Sequence, residues 1–334
     1  MKHISFARQA YAIALFVAGF GTAAIGATIV TFDPPGSSAT YPEAVNDDGS
    51  VTGYYADASF VYHGFLRTSD GAITSFDVTG QGETYPVAIN AGGAIVGAYL
   101  TGSYYTGFLR ATDGTITTFN IKGGNGDTEP NGINDMGTIT GSCATGGFVL
   151  KTDGTLHTFN VAGAIGTDPI AINNKGVIAG YYYKRYNAYH SFVRATDGTI
   201  ATFDPPGANN STALSINAKG AIVGTYKDTN KVSHGFLREP DGSITRIDIP
   251  GATWTEADAI DDKGRITGDY AIPPKSLVSG FVIDAKGKIA SFSVPGRRPH
   301  TYTSAVARTS RIITGFYFEG SYRDEVFHGF VRTP

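Results

Sequence analysis

Residues 213–248 read ALSINAKGAIVGTYKDTNKVSHGFLREPDGSITRID, and this stretch decides the fold. It breaks into four short runs rich in β-branched, aromatic and aliphatic residues, at 213–216, 222–226, 234–238 and 244–248. Turn-forming residues lie between them, Asn217 to Gly220 and Asp241-Gly242 among them. Runs this short, bounded by Gly, Asn and Asp, read as strands joined by tight turns. One unit therefore specifies a four-stranded sheet, and a single copy cannot bury both of its faces.

The unit recurs. A phrase of the type Ile-x-x-Phe-Asp stands at residues 29–33, 73–77, 116–120, 156–160, 200–204, 244–248 and 289–293, with starts 44, 43, 40, 44, 44 and 45 residues apart. An Ala-Ile-Asn type, a Gly-x-Tyr type and a His-Gly-Phe-Leu-Arg type keep the same phase, with local decay. Four strands in each such repeat is the pattern of a propeller blade. The chain starts with the fourth phrase, at 28–33, and stops after the third, at 328–332, so the first strand is expected to complete the last blade. Closure of that kind removes the free edge of an open stack. The expected fold is all-β: a seven-bladed β-propeller over 28–334 with repeats starting near 31, 75, 118, 158, 202, 246 and 291. A β-solenoid and two smaller sheets are the alternatives. In the Ile-x-x-Phe-Asp phrase the apolar residues lie three apart, which predicts a bulge or bend there. The last copy is eroded: residues 307–310 replace its Asn-x-x-Gly turn and Arg297 and Arg298 sit beside its inner strand, so this blade is expected to open first.

Only 16% of residues are charged, while 44 are glycine and 12% are aromatic, a balance that suits short strands and tight turns and not disorder. A net charge of -3 with no basic run after the N-terminus gives no footprint for a nucleic-acid partner. Residues 1–27 are a different text. Lys2 and Arg8 precede an apolar stretch from Tyr11 to Ile25 that closes on Gly26 and Ala27, the layout of a secretory signal peptide, with a retained anchor as the alternative. No second run reaches membrane-spanning length, so the mature chain is expected without a membrane span and extracytoplasmic, periplasmic or secreted. Cys143 is the one cysteine, which rules out an intrachain disulfide.

The phrase order in residues 213–248 resembles the HAF-type extracellular repeat of bacteria, with Gly64, Gly235 and Gly329 where that repeat's His-Ala-Phe phrase has alanine. The resemblance covers the mature chain and implies a secreted or surface-associated repeat protein. It brings no catalytic residues. The Trp-Asp signature of another propeller class is absent, and Trp254 is the only tryptophan.

Positions that recur in every unit serve what every blade needs. His63, His190, His234 and His328 occupy one place in four blades, a blade width apart, so they cannot converge on a metal. They are expected to satisfy backbone groups within their blades, and Arg67, Arg110, Arg194, Arg238 and Arg332 are read as scaffold too. The Asn46-Asp47-Asp48-Gly49 and Asp261-Asp262-Lys263-Gly264 phrases lack the oxygen alternation of a calcium loop and read as turns. Cys143 stands where other units carry tyrosine and is expected to be a buried filler. Neither a metal nor any other cofactor is called for.

The strand that opens each unit should border the central channel. Thr40, Thr84, Thr128, Thr167, Ser211, Thr255 and Thr301 form an all-hydroxyl position on it, read as a structural hydrogen-bond device. The next position is varied: Tyr41, Tyr85, Glu129, Asp168, Thr212, Glu256 and Tyr302. Two places further, Glu43, Asn131, Asp258 and Ser304 add polar groups, expected on the same face. Tyrosine faces beside carboxylates suit a sugar-binding mouth, so Tyr41, Tyr85, Tyr302, Glu129, Asp168, Glu256, Glu43 and Asp258 are the candidate ligand-binding residues. Glu129, Asp168 and Glu256 are the candidate acids if the protein is an enzyme. Aromatic loops supply a second candidate surface: Phe60, Tyr62, Tyr104, Tyr105, Tyr183, Tyr186, Tyr189, Tyr322 and Phe327, with Lys184 and Arg185 beside Tyr186. A water-filled channel and inter-blade packing are the bland alternatives. Non-catalytic recognition of a polysaccharide or other cell-surface component is the main functional expectation. A carbohydrate-active hydrolase or lyase and a structural matrix protein are the alternatives.

Overall fold

The computed structural model describes residues 27–78, 83–121, 127–185, 188–273, 277–296, 299–319 and 326–334. The leader-like stretch up to residue 26, Tyr186, Tyr322, Arg297 and Arg298 lie outside the described residues. Seven four-stranded antiparallel sheets form a β-propeller. The inner strands are Ser37–Val45, Thr84–Ile89, Thr128–Ile133, Gly166–Ile172, Asn210–Ile216, Trp254–Ile260 and Pro299–Val306, which we assign to blades 1 to 7. Each inner strand lies beside those of the two neighbouring blades, and blade 7 returns to blade 1. The ring closes as expected: Thr28–Phe32 is the fourth strand of blade 7, antiparallel to His328–Thr333, with Val30 opposite Val331.

Packing between blades explains the phrases. The phenylalanine of the third strand, such as Phe65, Phe108, Phe192 and Phe236, is wholly buried in each blade, a burial that contributes roughly 2–3 kcal/mol per side chain. The scaffold arginines each cover the fourth-strand phenylalanine of the preceding blade, Arg67 over Phe32 and Arg194 over Phe159 at 5.1 and 4.8 Å. The hydroxyl position ties inner strand to preceding blade: Thr128, Thr167 and Thr255 accept from the amides of Ile121, Val161 and Ile249 at 3.0–3.1 Å. Thr40 and Ser211 instead donate to Asp33 and Asp204, both at 2.6 Å.

At the opposite end of the inner strands the Asn-x-x-Gly phrases are turns, and their asparagines do more than turn the chain. The buried amides of Asn46, Asn90, Asn134, Asn173 and Asn217 each donate to the backbone carbonyl of the matching residue one blade on, at 3.0–3.4 Å. This belt runs from blade 1 to blade 6. In blade 7 Ala307 has no amide to give, and its turn is one residue longer, with Arg311 at φ 71. Asp47 closes the gap by accepting the amides of Thr309 and Ser310.

Three expectations need correction. The fourth strands pair without any register shift, Gly64 with Phe76 through Arg67 with Ile73. Residues three apart point to opposite faces of a strand, and both faces are covered: Ile73 packs in the blade 7–blade 1 cluster, whereas Phe76 meets Phe108 of blade 2. The bulge lies instead on every inner strand, between Pro42 and Ala44 in blade 1 and at equivalent places in all seven. Glu43, Asn131, Asp258 and Ser304 are thus the extra, unpaired residues of bulges, so simple alternation does not set their direction. The histidines pair with aspartates rather than backbone groups: His63 with Asp77, His190 with Asp204, His234 with Asp248 and His328 with Asp33, at 2.7–2.9 Å. Burial works against charging His63, but Asp77 and Asp57 outweigh it and its pKa is raised. Cys143 is half-buried rather than buried, with its sulfur 3.4 Å from the Thr145 hydroxyl.

Candidate functional site

All seven inner strands run the same way, so the residue after each buried hydroxyl falls on one ring at the end away from the asparagine belt. Each ring member pairs directly with a second-strand residue. Tyr41 faces Tyr54, Tyr85 faces Ala98, Glu129 faces Ser142 and Asp168 faces Tyr181. Thr212 faces Thr225, Glu256 faces Asp269 and Tyr302 faces Phe316. Opposed residues share a sheet face, so a second ring accompanies the first. Its members are the middle residues of the Gly-x-Tyr phrases. The adjoining glycines, such as Gly97, lie so close to the inner strand that a Cβ would stand 2.1 Å from the Tyr85 carbonyl oxygen.

On blades 7, 1 and 2 the rings merge into one aromatic band. Tyr302 stacks on Phe316 at 5.0 Å between centroids, and Phe316 meets Tyr41 edge-on at 5.9 Å. Tyr41 stacks on Tyr54 at 5.1 Å, Tyr54 meets Tyr85 at 5.2 Å, and Tyr85 meets Tyr105 at 6.0 Å. The loop-side aromatics belong to the same band: Tyr62 packs on Tyr54 and Tyr85, and Phe327 on Tyr41 and Phe316. Mouth and loop aromatics, expected as two surfaces, meet here in Tyr62, Tyr105 and Phe327. Phe60 and Tyr104 are 74% and 47% exposed. At blade 4, Tyr189 meets Tyr181 and Tyr183, and the Lys184 ammonium lies 5.9 Å over Tyr182.

Carboxyl groups occupy much of the remaining arc. Burial, then the charges of Asp127 and Asp168, raise the pKa of Glu129. Burial raises that of Asp168 against a hydrogen bond from Ser142. Tyr181, buried and facing Asp168, is pushed up to about 12. The Tyr105 amide donates to Asp127 at 2.8 Å, and the Tyr85 hydroxyl donates to Glu83. Between blades 6 and 7, the Thr303 hydroxyl donates to Asp258 at 3.0 Å and its amide to the buried Asp269 at 2.8 Å. Burial, with Glu256 nearby, pushes Asp258 up to about 7, and burial with the Asp258 charge holds Asp269 well above the ordinary range. Glu43 is pushed to about 7 by burial alone. Blade 5 supplies hydroxyls: Thr212 and Thr225 lie 3.2 Å apart in a cleft of about 290 Å³ shared with Tyr189 and Lys227.

The structure therefore gathers Tyr41, Tyr85 and Tyr302 into one band and sets Glu129 beside Asp168, while Glu256 and Asp258 form a separate nest with Asp269. Two other clefts, of about 340 and 430 Å³, open at the belt end between blades 6 and 7 and blades 3 and 4. Arg332 in the first and Arg194 in the second are laid over Phe292 and Phe159. Among the described residues no group of three or more His, Cys, Asp or Glu side chains is arranged to hold a metal ion, and no helix is long and apolar enough to cross a membrane.

No protein-family model matches the chain, and no curated protein does. Its fold has solved counterparts. A streptogramin B lyase structure aligns over 91% of this chain and 97% of its own with a TM-score of 0.62 at 13% identity. Virginiamycin B lyase from Staphylococcus aureus aligns over 92% and 99%, with a TM-score of 0.60 at 12% identity. A catalytically inactive form of that lyase with quinupristin gives 0.60 at 14%. Identities this low show a shared propeller fold and nothing about residues.

Proposed function

We propose that the channel mouth binds a glycan and that the protein acts on it as a carbohydrate-active hydrolase or lyase. One observation carries this: the aromatic band on blades 7, 1 and 2 adjoins carboxyl groups with raised pKa values on blades 1, 3, 4 and 6. Ring faces cover the apolar face of a sugar, and carboxylates accept its hydroxyls. Carboxyl groups shifted toward neutrality are suited to giving and taking protons, and such shifts concentrate at working sites. In this scheme Glu129 is the acid and Asp168 its partner on the neighbouring strand, with Glu256 the further candidate on blade 6. Seven-bladed propellers that act as lyases exist in this fold, which favours chemistry at such a mouth over a bare scaffold.

Non-catalytic recognition is the second reading, favoured by the nest on blade 6, where Asp258 and Asp269 are already occupied by Thr303. The repeat phrases support an HAF-type extracellular identity, and the leader-like stretch at residues 1–27 supports an extracytoplasmic site of action. The test is a panel of bacterial and plant polysaccharides with released reducing ends and unsaturated products assayed in the same wells. Product that disappears in Glu129→Gln, with the fold retained, is the expected result. Saturable binding without product establishes the recognition module, and silence across the panel leaves a structural matrix protein.

A further inference from the structure

We infer that the ligand of this mouth is cationic, an amine-bearing sugar unit whose ammonium is held between tyrosine faces and carboxylates. This rests on the mouth being the ligand site, as proposed above.

The first observation is the charge of the channel wall. The seven inner strands carry Glu43, Glu129, Asp168, Glu256 and Asp258, and no lysine or arginine. On the second strands, the one lysine at the mouth is Lys227, exposed at the outer end of blade 5, and Lys184, just past the second strand of blade 4, is laid over Tyr182. A low-dielectric funnel lined by one sign of charge concentrates the opposite sign. An acidic polysaccharide would meet repulsion from blades 1, 3, 4 and 6.

The second observation is where the tyrosines stand relative to that charge. The Tyr85 hydroxyl is bound to Glu83, and the Tyr105 backbone to Asp127. Tyr181 is the direct cross-strand partner of Asp168. Both Glu129 and Asp168 bias the titration of Tyr181, and Glu43 biases that of Tyr54, so the charges reach the rings. A tyrosine face with a carboxylate beside it is the arrangement that holds an organic ammonium, the ring through its quadrupole and the carboxylate through its charge. A neutral sugar would use the stacking faces and leave the charge unanswered, with carboxylates desolvated against each other.

A bare metal ion fits less well. Aromatic faces offer it nothing that a hard cation seeks, and the described acidic side chains do not converge into a coordination shell. The hydroxyls of Thr212 and Thr225, in the cleft next to Asp168's blade, suit the hydroxyl groups of a sugar bearing the amine.

Titration calorimetry on the purified full chain tests this with three tetrasaccharides of the same linkage, built from glucosamine, N-acetylglucosamine and glucose, and with calcium chloride as a separate arm. At a pH where the amine is protonated, the glucosamine tetramer should bind at least about tenfold more tightly than the other two. Its affinity should fall severalfold between about 50 and about 500 mM salt, while that of the glucose tetramer holds. Glu129→Gln, an isosteric change that removes the charge, should bring the amine-bearing tetramer toward the neutral one. Equal or tighter binding of the acetylated or neutral tetramer overturns the cationic ligand and leaves the mouth standing as a site. Calcium binding that excludes the amine overturns it in favour of a metal. No binding of any sugar overturns the mouth itself, and with it this inference.

Discussion

Arg308 of blade 7 and Asp135 of blade 3, two blades that are not neighbours, meet across the belt end of the channel with Nη1 3.5 Å from Oδ2. The same carboxylate accepts the Ala91 amide at 2.9 Å and the Asn174 side chain at 2.6 Å, so one aspartate ties four blades together. The contact spans the ring at the belt end, opposite the aromatic mouth.

Because both partners are about a third exposed, that ion pair should contribute little on its own. Arg308→Ala is expected to cost less than about 1 kcal/mol. Asn134→Ala, by contrast, removes a buried side chain that accepts the amides of Met136 and Thr138 and donates to Asn173, and should cost about 2–3 kcal/mol. Urea midpoints for the two variants check the ranking; equal losses would contradict the belt's importance.

Gly97→Ala should be strongly damaging at the mouth. The new Cβ would press 2.1 Å from the Tyr85 carbonyl oxygen and 2.7 Å from the Pro86 Cα, both backbone atoms that cannot swing away. Loss of soluble protein or at least about 3 kcal/mol is expected. Gly154→Ala, with open space but φ +83, should cost only about 1 kcal/mol and serves as the control.

Asp258 gives stability a pH dependence opposite in sign to that of most carboxylates. Its pKa rises from 3.8 to about 7 on folding through burial and the charge of Glu256. The folded state therefore holds a proton the unfolded chain has released, and stability from this group is full below pH 3.8 and lost as pH rises through 7. Asp258→Asn should gain on the wild type between those limits and hold a constant advantage above them. Melting temperatures from acid to mildly alkaline pH, read as the difference between the two proteins, decide this. A flat difference would place the titration elsewhere.

The Tyr85 ring contacts Tyr54, Tyr62 and Tyr105. Tyr85→Ala should lower both stability and ligand affinity. Tyr85→Phe keeps the stack and loses only the hydrogen bond to Glu83, so it should leave melting within about 1 kcal/mol of wild type. Circular dichroism melts beside the binding assay separate the two contributions.

The blades and their closure were legible because a strand phrase repeated seven times needs no third dimension to be counted. The first ring of the mouth was legible for the same reason, since Tyr41, Glu129 and Asp168 follow a recurring hydroxyl. The second ring was written in the text as well, at the variable middle place of Gly-x-Tyr, where Tyr54, Tyr181, Asp269 and Phe316 stand. Its meaning depends on register, which pairs Asp269 with Glu256 and Phe316 with Tyr302, and register is set by contacts between strands. The bulge was misplaced because spacing by three signals a defect only in a strand with one buried face. Ile73 and Phe76 each serve a different neighbouring blade. The belt went unseen because an asparagine that turns the chain and one that also reaches the next blade are the same letter.

Ring closure by Thr28–Phe32 and His328–Thr333 joins the earliest-made strand of the propeller to the latest-made. The first strand emerges with no neighbour and waits, unpaired along one whole edge, until nearly three hundred further residues have been synthesised. Closure of the ring thus needs both ends of the propeller at once, and a propeller lacking His328–Thr333 would leave Thr28–Phe32 without its sheet partner.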